Sequence, residues 1–437
     1  MANFILDLLT SAARLSKASF VAKTRKTAIV QEQFLLTLLK DYQDTEFGKK
    51  YGFREIKSVD QFRERLPILA YSSYEPYLER IAKGEPNILT SKPVVFMNLT
   101  SGSTGRQKLI PVTRQSRKIL NRANRISMGF IAEAAKKRGL AIGKIFLTSS
   151  VQLYGRTEGG IDCGPASVSD LRLNNFLYRQ VFAFPYEALL AADSLTRNYV
   201  CLLFAIVNPD LKIIAANFPV LALQLSQYLE SYAKLMIEDL EKGTIASWLK
   251  LEPELRVKLE EKLSPSPDRA AQLREILQDK GKLTPKLVWP NLSLITTALG
   301  GASNFYLQRF PGYFGDSPVF GGIYASAEGT FGIYHDLNNN GAILAIETGF
   351  FEFIPEEEWN VPQPKTLLAH ELKVGQFYRI LMSNYNGFYR YDIGDVVEVI
   401  GWYEQTPIIV FRHRLGGLLS STTEKTTEYH ATQVMQQ

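Results

Sequence analysis

The stretch Asn98-Leu-Thr-Ser-Gly-Ser-Thr-Gly-Arg-Gln-Lys-Leu-Ile-Pro-Val-Thr113 decides how the rest of this chain is read. Val94, Val95, Phe96 and Met97 lead into it as an apolar, strand-like run, and a helical pattern starts near Thr113. Between them, Gly102 and Gly105 let the backbone turn its N–H groups outward with no Cβ in the way. Thr100, Ser101, Ser103 and Thr104 add hydroxyl donors, and Lys108 adds a mobile positive charge. Together these features suit a polyphosphate. The spacing is not that of a Walker A loop, because Arg106 and Gln107 separate the second glycine from Lys108. A Ser- and Gly-rich turn on its own is more often a flexible connection, so motifs elsewhere in the chain have to carry part of the weight.

The bulk properties narrow the field. The chain has 437 residues, 46% apolar and 22% charged, enough for one large or two ordinary domains with a full core. Cys163 and Cys201 are its two cysteines, which leaves no disulfide framework and points to a reducing, cytoplasmic compartment. The longest apolar run, Tyr199 to Val207, is too short to span a bilayer, and the N-terminus carries Asp7 without a signal-like core. No membrane partner is expected. The net charge of +6 suits an anionic small substrate and does not argue for nucleic acid. Basic residues nonetheless concentrate just after the loop, where Arg114, Arg117, Lys118, Arg122 and Arg125 recur at helical spacing on one face. That face is either solvated or a field that draws an anion toward the loop.

Taken in order, residues 3 to 45 read as two amphipathic helices. One carries a stripe of Phe4, Leu8, Leu9, Ala12 and Leu15, the other Val30, Phe34, Leu35, Leu38 and Leu39. Residues 58 to 92, with Pro67, Pro76 and Pro86, read as a connecting region. From 139 to 207 short apolar runs alternate with Gly-rich and Asn-rich turns, as in α/β architecture, and residues 211 to 240 combine a β-like segment, Leu211 to Ala216, with a long helical pattern. Residues 250 to 285 read as an exposed helical excursion rich in Glu, Lys and Arg. Leu292 to Thr297 is a strand that opens into Gly300 and Gly301, and Val319 to Tyr324 is another. Alternating runs from 342 to 400 suggest a meander or a small barrel. From 424 a helix is expected to begin, with Ala431, Val434 and Met435 on one face.

Two further motifs belong with the loop. Tyr324-Ala325-Ser326-Ala327-Glu328 ends an apolar strand, where an aromatic can stack on a purine and a glutamate can hold a divalent cation beside phosphates. In Tyr389-Arg390-Tyr391-Asp392-Ile393-Gly394-Asp395, the last carboxylate is placed to accept hydrogen bonds from vicinal hydroxyls, as on a ribose. Arg390 would buttress it or meet phosphate. Each motif alone is weak, since a tyrosine and glutamate after a strand, or a Gly-Asp turn, are common.

In combination and in this order, the three motifs resemble the adenylate-forming superfamily of acyl-CoA synthetases, luciferases and peptide-synthetase adenylation domains. The likeness tightens to the plant auxin-responsive Gretchen-Hagen family of acyl acid amido synthetases. It takes in Glu75-Pro-Tyr-Leu-Glu-Arg-Ile-Ala-Lys-Gly84, Lys108-Leu-Ile-Pro111, Val288-Trp-Pro-Asn291, Phe388-Tyr-Arg-Tyr391, Leu418-Leu-Ser420 and Glu424-Lys-Thr-Thr-Glu428. The resemblance implies an α/β fold: a large adenylate-forming domain over 1–415, with mixed sheets flanked by helices and a small β-barrel-like subdomain over about 342–415. Residues 416–437 would be a hinge and the start of a truncated C-terminal domain. It also implies a ligase that uses ATP and Mg²⁺ to activate a small carboxylic acid as acyl-AMP, then passes the acyl group to an amino acid. A monomer is expected.

By the same carry-over, Thr100, Ser101, Gly102, Ser103, Thr104, Gly105 and Lys108 form the phosphate clamp, Tyr324 lies on the adenine, and Gly300, Gly301, Ala325 and Ser326 belong to the nucleotide site. Asp395 with Arg390 serves the ribose, Glu328 holds Mg²⁺, and Lys425 matches the lysine that reaches the α-phosphate in relatives. Two departures bear on this. Ala327 stands where the superfamily often has a hydroxyl, and the family's mobile C-terminal domain is expected to be mostly missing after Lys425. A CoA ligase, or a non-catalytic ATP- or acid-binding remnant, are the alternatives the motifs leave open.

Overall fold

The central stretch folds as a hairpin. In a computed structural model, which describes residues 2–101, 107–166, 168, 181–415, 418–421 and 424–427, strand β1 (Val94–Ser101) pairs antiparallel with β2 (Gln107–Thr113). The helix Arg114–Lys137 follows directly. Its start is a capping box: Thr113 Oγ1 accepts from the Ser116 N–H, and Ser116 Oγ accepts from the Thr113 N–H, both at 3.0 Å. Ala123, Ile126, Phe130 and Ala134 form its buried face.

The helix Ala2–Thr24 crosses that helix at Gly129, where an added Cβ would lie 2.5 Å from the Ala13 carbonyl oxygen. This close approach sets which side of the first helix is covered. Ala13 and Phe20 are buried there, whereas Leu15 is 75% exposed, so the apolar face is not the stripe through Ala12 and Leu15 that periodicity suggested. Lys17 and Glu133 pair across the crossing. The helix Thr27–Tyr42 does bury the expected Leu35, Leu38 and Leu39. Residues 58 to 92 are more ordered than a connection: they contain the helices Val59–Arg65 and Tyr71–Ala82. Tyr74, Leu78 and Ile81 supply the buried face of the second.

Among the described residues, β1 and β2 join β5 (Asp162–Gly164) and β4 (Gly155–Arg156) in one sheet, ordered β2-β1-β5-β4. A second sheet is parallel: β3 (Ile145–Thr148), β6 (Ile213–Ala216), β7 (Leu294–Thr296) and β8 (Val319–Phe320), in that order. Its strands are short apolar runs because helices such as Ser194–Ile206 and Pro219–Ser231 cover them, sharing a core with Phe146, Ile214, Ile295 and Trp289. The expected exposed excursion belongs to this core. The helices Pro253–Glu260 and Pro267–Lys280 bury Leu259, Ala270 and Leu273 there. Arg256 donates to the carbonyls of Ile245, Ala246 and Leu249, and Arg269 to those of Ile206 and Val288, so part of the charge is spent on backbone.

The third sheet contains β9 (Ile323–Ala325), β10 (Thr330–Tyr334), β11 (Ala342–Leu344), β12 (Phe350–Pro355), β13 (Leu367–Leu368), β14 (Phe377–Ser383), β15 (Tyr391–Tyr403) and β16 (Thr406–Arg414). Their order is β13-β12-β14-β15-β16-β11-β10-β9, with β14, β15 and β16 as a meander. The run Val319 to Tyr324 is therefore two strands. Gly321 and Gly322 carry the chain from the parallel sheet to this one. Gly322 has φ +67°, and a Cβ on Gly321 would lie 2.4 Å from the Tyr334 ring. The mixed α/β architecture holds, and Tyr324 sits at the seam. Beyond it, β17 (Leu418–Ser421) pairs antiparallel with β18 (Glu424–Thr427), so the helix expected from 424 is a strand over its described residues, consistent with the β-branched pair Thr426-Thr427. Residues 428–437, with Ala431, Val434 and Met435, lie outside the described residues.

Candidate active site

The sheet switch delivers Tyr324 to a cluster built on β15 and β16. Its ring packs against Phe331 at 5.0 Å and Phe411 at 5.5 Å between centroids. Its hydroxyl donates to Asp395 Oδ2 at 2.8 Å across 71 residues of sequence. Gly300 and Gly301, at φ +86° and +55°, approach Phe411 on β16, and the Gly301 N–H donates to the Phe411 carbonyl at 3.1 Å. A Cβ on Gly300 would come within 2.7 Å of that carbonyl oxygen. Thus Gly300, Gly301 and Tyr324 meet around Phe411, with Asp395 at the tyrosine's tip.

Asp395 follows Gly394, whose φ of +80° and N–H bond to Asp392 Oδ1 turn the strand inward. Its carboxylate is 2% exposed and accepts from Arg414 Nε at 2.6 Å as well as from Tyr324. Burial raises its pKa above the usual carboxylate value, with Arg414 and Tyr324 acting the other way. Burial and the adjacent Asp395 charge hold the Tyr324 hydroxyl well above its ordinary pKa, so it stays a donor. Arg414 was not anticipated. It faces Asp395 only through the β15–β16 register, a pairing that local sequence does not display.

Arg390 serves elsewhere. At φ +48° it turns its guanidinium onto Glu352, with Nε–Oε2 at 3.0 Å and Nη2–Oε1 at 3.1 Å, and donates to the carbonyls of Arg63 and Leu66. Its side-chain bonds go to Glu352, Thr366 and backbone carbonyls, so it does not buttress Asp395. Glu352 is 1% exposed at its side chain, which makes this a buried, multiply bonded ion pair.

Glu328 is 3% exposed and sits in a tight turn closed by the Ser326 N–H bonding to the Gly329 carbonyl at 2.9 Å. Ala325 is exposed beside it. Tyr391 OH donates to Glu328 Oε1 at a long 3.4 Å. The hairpin reaches this turn through Asn98, whose Nδ2 donates to the Ala327 carbonyl at 3.3 Å. Thr100 and Lys108 face each other in the β1–β2 register, and Lys108 Nζ stands 5.0 Å over the Tyr71 ring. Burial lifts the Tyr71 hydroxyl to a pKa of about 12, while that hydroxyl accepts the Leu109 N–H at 2.7 Å. Gly102, Ser103, Thr104 and Gly105 lie outside the described residues, and Ser101 is described as backbone at the end of β1. Lys425 is described as backbone in β18 opposite Ser420. Of the basic face, Arg122 is engaged by Glu347 at 3.1 Å.

Glu328 suits a particular kind of metal site. Among the described residues no group of three or more His, Cys, Asp or Glu could hold an ion by itself. A single buried carboxylate fits Mg²⁺ only in the mode where substrate phosphates and water complete the coordination.

Residues 16–319 match the GH3 family N-terminal domain, and residues 342–414 match the GH3 family central domain. This chain belongs to the GH3 family. Curated GH3 relatives include the jasmonoyl–L-amino acid synthetase JAR4 of Nicotiana attenuata, 28% identical over 426 residues, covering 94% of this chain and 73% of that protein. The indole-3-acetic acid-amido synthetase GH3.3 of Arabidopsis thaliana is 27% identical over 427 residues, 93% of this chain and 70% of the relative. Among solved structures, AtGH3.15 acyl acid amido synthetase in complex with 2,4-DB superposes with a TM-score of 0.83 at 22% identity, over 100% of this chain and 74% of that one. The fold is the GH3 fold. No helix among the described residues is long and apolar enough to cross a membrane.

Proposed function

We propose that this chain is an ATP-dependent acid–amino acid ligase that activates a small carboxylic acid as an acyl-adenylate and passes the acyl group to an amino acid amine. The observation that carries the reading is the Tyr324–Asp395 pair, an aromatic face and a buried acceptor held together at a sheet seam. Membership of a family whose named relatives are amido synthetases supports it.

The chemistry explains why these groups are needed. A carboxylate resists nucleophilic attack, because attack places a second negative charge beside the first. Its transfer to the α-phosphorus of ATP expels pyrophosphate and makes its oxygen part of a good leaving group, AMP. An amine then displaces AMP and forms the amide. In this reading the Tyr324 ring and the Gly300–Gly301 backbone take the adenine, and Asp395 accepts from the ribose hydroxyls. Thr100, Lys108 and the loop 101–105 meet the phosphates, and Lys425 meets the negative charge growing at the α-phosphorus. Glu328 would hold Mg²⁺, which neutralises phosphate charge when bound. A monomer in the cytoplasm accompanies this reading; Cys163 and Cys201 are both buried free thiols.

The test is pyrophosphate release from ATP and Mg²⁺ with a panel of jasmonate-like, indole, aryl and aliphatic acids, with and without mixed amino acids. Acid-dependent release that rises with amino acids supports the ligase. Release stimulated by CoA instead identifies a CoA ligase, and silence with ATP bound identifies a binding protein.

A further inference from the structure

Glu328 is gripped by its backbone. Its N–H donates to Ser326 Oγ at 3.2 Å, and its carbonyl accepts from both Asn384 Nδ2 at 2.8 Å and Asn386 Nδ2 at 3.0 Å. The two asparagines belong to one turn, in which the Asn386 N–H donates to Asn384 Oδ1 at 3.0 Å. Glu328, Asn384 and Asn386 are each less than one-tenth exposed. Gly329 admits the clamp, since a Cβ there would stand 2.9 Å from Asn384 Nδ2.

One donor satisfies a buried carbonyl; here two carboxamides converge on one. The residue so held keeps its carboxylate in a single long contact with Tyr391 among the bonds described, leaving lone pairs for another partner. We propose that Asn384 and Asn386 are positioning residues: by fixing the Glu328 peptide they aim its carboxylate at a divalent cation carried on the nucleotide phosphates. This rests on the reading of Glu328 as the metal-holding carboxylate. A cavity of about 70 Å³ lined by Asn98, Asn384 and Asn386 adjoins the turn. Water has room there to replace a lost amide, so removing the clamp frees the peptide to rotate while the turn stays folded.

The test is Mn²⁺ binding to the full chain in the presence of ATP, followed by electron paramagnetic resonance of free Mn²⁺, beside metal-free ATP binding by calorimetry. Asn384→Ala/Asn386→Ala is expected to weaken Mn²⁺ about tenfold, the scale of lost outer-shell partners, with metal-free ATP affinity unchanged. Unchanged Mn²⁺ affinity in that variant, alongside weakened binding in Glu328→Gln, overturns the positioning role and leaves the metal reading intact. Unchanged Mn²⁺ affinity in Glu328→Gln overturns both. Equal weakening of Mn²⁺ and metal-free ATP also overturns the proposal, because the turn then merely supports the site as a whole. Should the double variant fail to fold, Asn386→Ala, which keeps the Asn384 bond, must show the same selective loss of Mn²⁺.

Discussion

The Tyr324 hydroxyl donates to Asp395 Oδ2 at 2.8 Å, and Arg414 Nε holds the other carboxylate oxygen at 2.6 Å. This joins two motifs from an edge strand and an interior strand of one sheet, because β9 and β15 lie apart in the strand order and Tyr324 spans the gap.

Removing the hydroxyl alone separates its role from that of the ring. Tyr324→Phe keeps the contacts with Phe331 and Phe411 and leaves the buried carboxylate one donor short. A stability loss of about 1–3 kcal/mol is expected, read from the denaturation midpoint. Asp395→Ala should instead abolish detectable ATP binding while the chain remains folded, and full adenylation activity in that variant would remove the basis of the assignment.

The raised pKa of Asp395 has opposite consequences for folding and for binding. Above the unfolded value of about 3.9, the folded state retains a proton that the unfolded chain has lost. The group's contribution to stability therefore declines as pH rises from there through the raised folded pKa. Ribose hydroxyls need the ionised acceptor, so ATP affinity should fall on acidification through that same raised pKa, earlier than for an ordinary carboxylate. Isothermal titration over a pH series upward from about 4, the unfolded value, would show the slope, and Asp395→Asn should flatten it.

Breaking the Arg390–Glu352 pair should act on the fold. Both side chains are buried and bonded at 3.0 and 3.1 Å; without Arg390, Glu352 keeps Arg63 Nε at 3.1 Å and Thr366 Oγ1 at 2.6 Å on Oε1, so its buried charge is only partly compensated. Arg390→Ala should cost about 3 kcal/mol of unfolding free energy, the low end for a broken buried pair, because Arg63 still meets Glu352. ATP affinity measured at a temperature where the variant is folded should stay near wild type; a selective loss of ATP affinity at full stability would return Arg390 to the nucleotide site.

Gly300→Ala forces a Cβ against the Phe411 carbonyl oxygen, in a φ of +86° that L residues rarely adopt. The strain, about 1–3 kcal/mol, should push the turn off β16 and weaken ATP more than acid binding. Gly139→Ala is the control: it has φ +69° and open space around it, so it should leave ATP binding unchanged.

What could be read from the residues was local in its physics. Hydroxyls and glycines between an apolar run and a lysine, a tyrosine four before a glutamate, and a glycine before an aspartate each express turn chemistry within a few residues. The helix start at Thr113 was legible for the same reason, since its cap bonds reach only to Ser116. Apolar periodicity in the first helix showed that one face would be buried. It did not show which, because that was set by the crossing at Gly129, more than a hundred residues away.

By itself, then, the sequence determined the motifs, their order, and an α/β chain of the GH3 type. Only the tertiary structure decided their partners. The break at Gly321–Gly322 moves the chain between sheets and puts Tyr324 beside Asp395, and the β15–β16 register supplies Arg414. The turn at Asn384 and Asn386 reaches Glu328, while Arg390 turns away to Glu352. Each of these depends on strand register and sheet crossing, which are fixed by packing between segments far apart in the chain, and no local pattern of residue types encodes them.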